Sequence, residues 1–563
     1  MIYHCEDHTC NYWDEGEKLP ERCPQCGRKL LRANEADMTG DDWTALGNTL
    51  WDAEASDKKR MVDCFRKAAY LGSAWGVCNL GICMEQGNGV EADPVQAFWL
   101  YQQAVEMGSL NAVCCLGVCY EYGIGTAPDA KQAAELYCKA AEYGSPRGQM
   151  LLARAFHDGI GVEADAAEAV YWVRAAAYQR YGEGMHRLGV CYAYGDGVEQ
   201  NWEHAVHWFR EAAESGVSVA MTDLGCCYEK GYGVEQSWEQ AFSWYRRGAE
   251  CGDPVSMSNL GLCYQMGYGV EQNWQEAVKW YEQGAQCGDL QSMHNLACCY
   301  ERGEGVEQNE DRALYWYRRG AEAGSVHCMF CLGWNYSNGV GVKQDMTEAI
   351  RWYTAAAEGG NAAAMHSLGW HYDHGEGVEQ DMKKAICWYE RAAEQNYPAA
   401  MNSLGECYAM GRGVPRDLET AMEWYRRAAE LGEAMADYNM GWHLEQAGKL
   451  SEAYAHYRKA ADGNDDSAWW ALGRFYENGV VVAQDGKEAR RCYETGEKLG
   501  SVKCKMRLAR CKLLGIGGRR EKKAGLDLCR QALELAKESS EKEDYGYEAE
   551  MNLLRRTIAE NES

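Results

Sequence analysis

The chain has 563 residues, of which 85 are acidic and 57 basic, so its formal net charge at pH 7 is −28. This charge argues against nucleic acid and anionic membrane surfaces as partners, because both are bound mainly through lysine and arginine. No apolar run approaches the roughly 20 residues of a membrane-spanning helix, and the polar first residues do not resemble a secretory signal. We therefore expect a cytoplasmic protein whose 27 cysteines are mostly reduced.

The first predicted element is a cysteine box, in which Cys5, Cys10, Cys23 and Cys26 are spaced as C-x4-C-x12-C-x2-C. Its second half, Cys-Pro-Gln-Cys-Gly, has the form of a zinc knuckle. Four thiolates complete the tetrahedral shell of one Zn²⁺ and leave no open position, so the predicted zinc is structural. His8 could replace Cys10 as a ligand. The segment resembles zinc-ribbon and rubredoxin-like modules, in which Gly-Tyr follows the second cysteine much as Asn-Tyr follows Cys10, and this favours Cys10.

A Leu-Gly pair, or a near copy of it, then recurs every 36 residues. The eleven evenly spaced copies begin at Leu80, Leu116, Leu152, Leu188, Leu224, Leu260, Leu296, Leu332, Leu368, Leu404 and Met440. Edited copies at Leu46, Leu472 and Leu508 bring the number of repeats to about 14. Ten equal steps in succession are the signature of a repeat array, in which each repeat contacts only its neighbours.

Each repeat predicts two helices when its positions are counted from this leucine. Apolar or small residues at 0, +3 and +4 form one face of a first helix, and glycines at +7 and +9 end it. Asp, Asn or Ser at +13 is a preferred N-cap for a second helix. Its buried face is formed by small residues at +17, +24 and +25, by Trp or Leu at +20 and by aromatic residues at +21. Glycine at +28 ends that helix, with Arg180 and Asn396 as exceptions. We expect the glycine at +1 to admit a neighbouring backbone.

These residues resemble the Sel-1-like repeat family, a relative of the tetratricopeptide repeats. The motif A-x-x-x-L-G-x-x-Y-x-x-G-x-G-V-x-x-[DN]-x-x-x-A-x-x-W-Y-x-x-A-A-x-x-G carries the resemblance. It implies an all-α fold, an α-solenoid of stacked antiparallel helix pairs whose first helices line the concave side and which scaffolds protein complexes. The predicted organisation is a zinc-ribbon-like module at 1–33, a linker at 34–41, the solenoid at 42–515 and capping helices at 516–563.

Two repeats depart from the motif. The repeat of Met440 lacks the Gly-x-Gly-Val turn, and the next leucine, Leu472, follows after 32 residues, which indicates a tighter turn. In the repeat of Leu472, Gly479 is followed by Val480 and Val481 where a second glycine is expected. Both turns are therefore predicted to be irregular.

Eight cysteines share position +3 of the repeat. We expect them to be small buried hydrophobic residues rather than disulfides, because equivalent atoms on stacked helices lie about 8–10 Å apart and a disulfide needs Cα atoms within about 7 Å. They are Cys83, Cys119, Cys191, Cys227, Cys263, Cys299, Cys407 and Cys511.

A candidate binding strip lies on the first helices, at positions −2 and +2, opposite the packed face. From the repeat of Leu332 onward these positions become aromatic or polar, at Phe330, Trp334, His366, Trp370, Glu406, Tyr438, Trp442 and Trp470. Large rigid aromatic residues are typical anchors of binding sites. Polar residues follow the three tryptophans at +2, namely Asn335, His371 and His443, and we interpret them as a hydrogen-bonding flank. The alternative is that superhelical curvature buries these rings as packing between repeats.

The leading interpretation is a non-catalytic scaffold that holds a protein or peptide in this groove, with a structural zinc site in front. One alternative comes from secreted cysteine-rich members of the family, which have been linked to penicillin binding and weak β-lactam hydrolysis. Their cysteines pair eight positions apart, a spacing that this sequence lacks. A third interpretation is a metal or redox sensor that uses the cysteine box.

Overall fold

The computed structural model describes residues 2–5, 13–15, 30–33, 35–51, 55–542 and 548–562. The chain divides into two compact units. Unit 1 comprises Met1–Ser292 with Glu304–Val306, and unit 2 comprises Met293–Gly303 with Glu307–Ser563.

A small antiparallel sheet opens the chain. Its strands are β1 (Ile2–Cys5), β2 (Trp13–Glu15) and β3 (Leu30–Ala33), in the order β2-β1-β3. The central strand β1 pairs Ile2 with both Glu15 and Ala33, and a single 3₁₀ turn, Glu35–Asp37, follows β3. These strands belong to the segment that we predicted to be a zinc module.

Helices make up the rest of unit 1. They are α1 (Gly40–Thr49), α2 (Ala55–Tyr70), α3 (Ala74–Gln86), α4 (Pro94–Glu106), α5 (Leu110–Tyr122), α6 (Ala130–Glu142), α7 (Pro146–Asp158), α8 (Ala166–Tyr178), α9 (Gly182–Tyr194), α10 (Trp202–Glu214), α11 (Ser218–Lys230), α12 (Trp238–Glu250), α13 (Pro254–Met266) and α14 (Trp274–Gln286). Odd numbers mark the first helix of a repeat and even numbers the second, and each second helix packs against the first helix before it.

Unit 2 is built in the same way. Most of α15 (Leu290–Arg302) belongs to it. The other helices are α16 (Glu310–Glu322), α17 (Val326–Asn338), α18 (Met346–Glu358), α19 (Ala362–His374), α20 (Met382–Glu394), α21 (Pro398–Met410), α22 (Leu418–Glu430), α23 (Ala434–Gln446), α24 (Leu450–Asp462), α25 (Asp466–Asn478), α26 (Gly486–Lys498), α27 (Val502–Leu514), α28 (Lys522–Lys542) and α29 (Glu548–Glu562). The helix α28 pairs with α27, and α29 contacts both. The predicted all-α solenoid of stacked helix pairs is confirmed for each unit.

The N-caps of the second helices lie at the predicted position +13. In all ten regular repeats the side chain there accepts a hydrogen bond from a backbone N–H of the first helical turn, at Asp93, Asp129, Asp165, Asn201, Ser237, Asn273, Asn309, Asp345, Asp381 and Asp417. Each such cap stabilises its helix by about 1 kcal/mol. The repeat of Met440 lost this cap together with its turn, because Lys449 precedes α24 and its side chain accepts no capping hydrogen bond.

The glycine at +1 has a different role from the predicted one. In the repeat of Leu224, a Cβ built on Gly225 would lie 2.5 Å from the ring of Tyr245, the residue at +21. The group that comes nearest to the glycine is therefore the buried ring of the second helix. The expected approach of a neighbouring backbone is secondary: a carbonyl oxygen lies 3.2 Å from the built Cβ at Gly189, Gly369 and Gly441. The same contact recurs in most repeats, so the glycine and the tyrosine together set the distance between the two helices.

Among the residues that the structure describes, four other than glycine have a positive φ. Arg180 and Asn396, at φ 59° and 58°, adopt the left-handed conformation that glycine provides at +28 in other repeats. Val481, at φ 65°, occupies the position of the missing second glycine. A β-branched residue is strained in this conformation, which agrees with the irregular turn predicted from the sequence.

Among the helices that the structure describes, none is both long and apolar enough to cross a membrane.

Candidate functional site

The eight predicted groove residues all lie on first helices of unit 2, namely α17, α19, α21, α23 and α25. First helices of successive repeats touch each other in both units, at α1–α3, α3–α5, α5–α7 and α11–α13 in unit 1 and at α25–α27 in unit 2. Among the described residues, no two successive second helices contact each other as extensively as these first helices do. In these stretches the first helices of successive repeats lie closer together than the second helices do, and of the five helices that carry the predicted strip, α25 belongs to one of these stretches.

The three tryptophans at +2 differ in exposure. Trp334 on α17 is 43% exposed and Trp442 on α23 is 41% exposed, whereas Trp370 on α19 is half-buried. The ring of His374 stacks on Trp370 at 4.2 Å, and its Nδ1 lies 2.9 Å from the Trp370 carbonyl oxygen. Two of the three rings thus present a large apolar surface to solvent.

The predicted residues at −2 are half-buried and pack on tyrosines of the second helices. The ring centroids are 5.9 Å apart for Phe330 and Tyr353, 5.6 Å for His366 and Tyr389, and 5.6 Å for Tyr438 and Tyr457. Burial lowers the pKa of His366 to about 4, and its Nε2 lies 3.1 Å from the hydroxyl of Ser403. These three side chains take part in packing between helices, and only part of each one remains accessible to a ligand.

Trp470 lies on α25, in the helix pair that precedes α27 and α28. Its ring packs into the apolar clusters around α25 and α26, and two cations lie over it, Arg474 at 4.6 Å and Lys503 at 5.3 Å. Its indole Nε1 is buried and has no hydrogen-bond partner in the described part of the chain.

Glu406 is the acidic member of the predicted strip, and its neighbours already satisfy it. Asn402 and Asn439 donate to Oε1 at 3.2 and 3.3 Å, and Arg412 forms an ion pair with it at 3.7 Å. The same arginine also pairs with the buried carboxylate of Asp373 at 3.1 Å. Burial raises the pKa of Glu406, and the positive charge of Arg412 opposes that rise. This carboxylate therefore stabilises the contact between α21 and α23.

The interpretation of a hydrogen-bonding flank beside the tryptophans was wrong. Asn335 and His371 are 3% and 4% exposed, and His443 stacks on Tyr425 at 6.0 Å. Three residues rotate a helix by about 300°, so position +3 returns towards the packed face rather than the groove. The buried cysteines of other repeats occupy the same position.

Those cysteines behave as expected. All eight at +3 are at most 2% exposed, and no disulfide joins any of them to a described residue. Burial raises the pKa of Cys83, Cys191 and Cys407 to about 11, and burial is also the main cause that raises the pKa of Cys119 and Cys227 to about 12. Because the thiolate is the reactive form, these thiols are inert packing groups at neutral pH.

The predicted zinc ligands fall mostly outside the part that the structure describes. Cys10, Cys23 and Cys26 lie outside the described residues, and so does His8. Cys5 is the last residue of β1 and pairs in register with Leu30, the first residue of β3. Within the described residues, no three His, Cys, Asp or Glu side chains converge as metal ligands.

Sequence reasoning missed a cavity in unit 1. It lies beside Val173 on α8, where the repeat of Leu152 has valine in place of the tyrosine at +21. The signal was present, because this repeat also has Ala153 rather than glycine at +1.

A family model described as "Sel1 repeat" matches thirteen segments that together cover more than half of the chain: 76–109, 112–145, nine adjoining segments from 146 to 465, 468–501 and 502–537. A solved protective antigen of uropathogenic Escherichia coli with the SLR fold is 29% identical, with a TM-score of 0.55, over 76% of this chain and 90% of its own. A Sel1 repeat protein from Oxalobacter formigenes is 31% identical over 43% of this chain and 96% of its own, with a TM-score of 0.40. The comparison with curated protein sequences gave no match.

Proposed function

Because the chain belongs to the Sel1 repeat family, we propose that it is a non-catalytic scaffold that holds a protein or peptide partner on the first helices of unit 2. The observation that carries this proposal is the exposure of Trp334 and Trp442 at the same repeat position on α17 and α23. An aromatic side chain of this kind has about 150–250 Å² of surface, of which about two fifths is available to a partner in Trp334 and Trp442. Buried rings of this kind carry much of the binding energy in protein interfaces.

A polypeptide fits this surface better than the other classes of ligand. The acidic chain disfavours nucleic acid, because phosphates are bound by clustered lysine and arginine. The tryptophans lie on separate first helices, so a ligand that contacts both must extend along several repeats, as a peptide or a protein surface does. Packed helices are typically about 8–10 Å apart, which matches the reach of an extended segment of a few residues per repeat.

Affinity capture tests the proposal. Wild-type protein and the Trp334→Ala/Trp370→Ala/Trp442→Ala variant are used to capture partners from cell lysate, and bound proteins are identified by mass spectrometry. A Tyr315→Ala variant is the matched control, because Tyr315 is also exposed but lies on a second helix, α16. A partner bound by wild type and control but lost by the triple variant supports the groove. Equal capture by all three proteins rejects it.

We also propose that Cys5, Cys10, Cys23 and Cys26 hold one structural Zn²⁺. Two features support this proposal. Four thiolates match the tetrahedral preference of zinc, and β1 pairs Cys5 with Leu30, which follows Cys26 by four residues along the chain.

A further inference from the structure

The aromatic residue at +21 fills the space between the two helices of a repeat. From the repeat of Leu80 to that of Leu472, Val173 is the single non-aromatic residue at this position, once the four-residue deletion in the repeat of Met440 is allowed for and Tyr457 is taken as its equivalent. Because the partner position on α7 is only an alanine, Ala153, nothing in this repeat replaces the missing ring. The structure has a cavity of about 500 Å³ at this place, which we call the Val173 pocket. This volume is within the range of small-ligand sites in proteins.

The pocket has an apolar floor. Ala153, Ala169, Val170 and Val173 line it, and each is at most 5% exposed. None of these four side chains carries a polar atom. A group that reaches the floor must therefore be apolar at its tip, because a buried hydroxyl without a hydrogen-bond partner costs about 1–3 kcal/mol.

The mouth of the pocket is charged, and most of the charges there already have partners. Arg154 forms an ion pair with the nearly buried Glu121, and Asp196 lies 3.3 Å from both Arg187 and His157. The charges of Arg154, Arg187 and Asp196 are therefore already neutralised by neighbouring side chains.

Two charged side chains at this mouth form no ion pair with a described residue: Glu183, which accepts a hydrogen bond from the hydroxyl of Tyr181 at 3.1 Å, and Arg147. The Nη1 of Arg147 donates to the side-chain oxygen of Asn111 at 2.7 Å and to the Sγ of Cys115 at 3.6 Å. It makes no ion pair with any residue that the structure describes. A carboxylate brought to the mouth would therefore find a guanidinium that is fixed in place by α5 and not yet neutralised.

We propose that the Val173 pocket binds a phenylalanine side chain of a partner polypeptide and that Arg147 binds a carboxylate next to that phenylalanine. The phenyl ring enters from the groove side and occupies the space that tyrosine fills in the other repeats, with its apolar tip on the floor. Tyrosine fits less well, because its hydroxyl would meet alanine, valine and the thiol of the buried Cys191, which is only a weak hydrogen-bonding partner. The inference rests on the proposed scaffold function and adds a second anchor, in unit 1, with a defined residue preference.

The test uses a matched pair of peptides, acetyl-Gly-(4-fluoro-Phe)-Glu-Gly-amide and its Gln counterpart. Binding to the full chain is measured by fluorine-19 NMR titration. We expect the Glu peptide to bind wild type about two- to fivefold more tightly than the Gln peptide, as an exposed or partly exposed ion pair predicts. Arg147→Gln should remove that preference, and this residue lies on the surface, so the fold should be unaffected.

Two variants fill the pocket from the protein itself. Val173→Tyr restores the tyrosine, and Ala153→Gly/Val173→Tyr restores the full motif of the repeat. The single variant has a precedent in unit 2, where Ala297 and Tyr317 occupy the same two positions and are both buried. Either variant should weaken the Glu peptide at least tenfold, because burial of a phenyl ring contributes roughly 1.5–3 kcal/mol.

The proposal is overturned if the filled variants bind the Glu peptide as tightly as wild type does, or if wild type does not distinguish Glu from Gln. The proposal is also overturned if Arg147→Gln still binds the Glu peptide more tightly than the Gln peptide. This variant leaves the buried core of the protein unchanged. The outcome is separate from that of the scaffold proposal, because the capture experiment changes only residues of unit 2.

Discussion

The hydroxyl of Tyr245 donates a 2.7 Å hydrogen bond to Glu229, which joins the second helix of a repeat to its own first helix. The ring of the same tyrosine covers Gly225, one turn before the glutamate. The contact recurs with a carboxylate or amide acceptor in several repeats, at Tyr101–Glu85, Tyr137–Glu121, Tyr281–Gln265, Tyr317–Glu301, Tyr457–Glu445 and Tyr493–Glu477. In these repeats the tyrosine at +21 therefore provides both the buried ring and a hydrogen bond between the two helices.

Tyr245→Phe should reduce the free energy of unfolding by about 1–2 kcal/mol, because the half-buried carboxylate of Glu229 loses one of its donors and keeps only Lys230 among the described residues. Urea denaturation followed by circular dichroism measures the change. Tyr425→Phe is the matched control, since position +5 of its repeat is Ala409 and the structure shows no hydrogen bond from the Tyr425 hydroxyl to a described residue. That variant should change stability by less than about 0.5 kcal/mol. Equal losses in the two variants would show that the hydrogen bond contributes nothing.

Val481→Gly should stabilise unit 2. Val481 has φ 65°, a conformation that costs a β-branched residue about 1–2 kcal/mol, and the gain is reduced by the larger backbone entropy of glycine in the unfolded chain. We expect a net gain of about 0.5–1 kcal/mol in the same urea experiment. Val480→Gly is the control, because Val480 has no positive φ and packs against the cluster around α25, and it should be destabilising. A loss of stability in Val481→Gly would contradict the assignment of strain.

Much of this fold is predictable from the sequence because its signals are local. The N-caps at +13, such as Ser237, and the turn glycines depend only on the backbone of their own helix ends, so spacing alone locates them. The burial of the cysteines at +3 likewise follows from helical periodicity.

Other features were not predictable because they depend on contacts between helices. The sequence shows that Gly225 needs space, but only the packed structure shows that the Tyr245 ring takes it. Asn335 and His371 look like groove residues beside exposed tryptophans, yet the rotation of the helix buries them. The Val173 pocket forms because this repeat lacks an aromatic ring at +21. The sequence shows that the ring is missing, but only the structure shows that the neighbouring side chains do not fill the space.

Acid should destabilise the α19–α20 pair through His366. Its pKa in the folded protein is lowered to about 4, so between pH 6.5 and 4 the unfolded chain binds a proton that the folded chain does not. The free energy of unfolding therefore falls as the pH falls through this window, by about 1–2 kcal/mol at pH 5. Hydrogen exchange of peptides from α19 and α20 at pH 7.5 and 5, corrected for intrinsic exchange, measures it. His366→Gln should reduce this pH dependence, and an unchanged dependence would exclude His366 as its source.

The zinc proposal predicts one Zn²⁺ per chain by mass-spectrometric metal analysis. Cys23→Ser/Cys26→Ser should lower that content to near zero, because two thiolates cannot hold a structural zinc tightly. His8→Ala should retain the metal if Cys10 is the fourth ligand. Because the repeats contact only their neighbours, chelation should leave the helical circular dichroism of the array nearly unchanged. A zinc content near zero in the wild-type protein, purified without chelators, would refute the site.

Site-specific photo-crosslinking tests the central claim most directly. Benzoylphenylalanine is placed at position 334, at position 442 or, as a control, at position 315 on a second helix, and each protein is irradiated in lysate with the captured partner. The scaffold account predicts that the same partner crosslinks from positions 334 and 442 and not from position 315. Crosslinks from position 315 alone would contradict it, because the partner would then bind the second helices and not the groove.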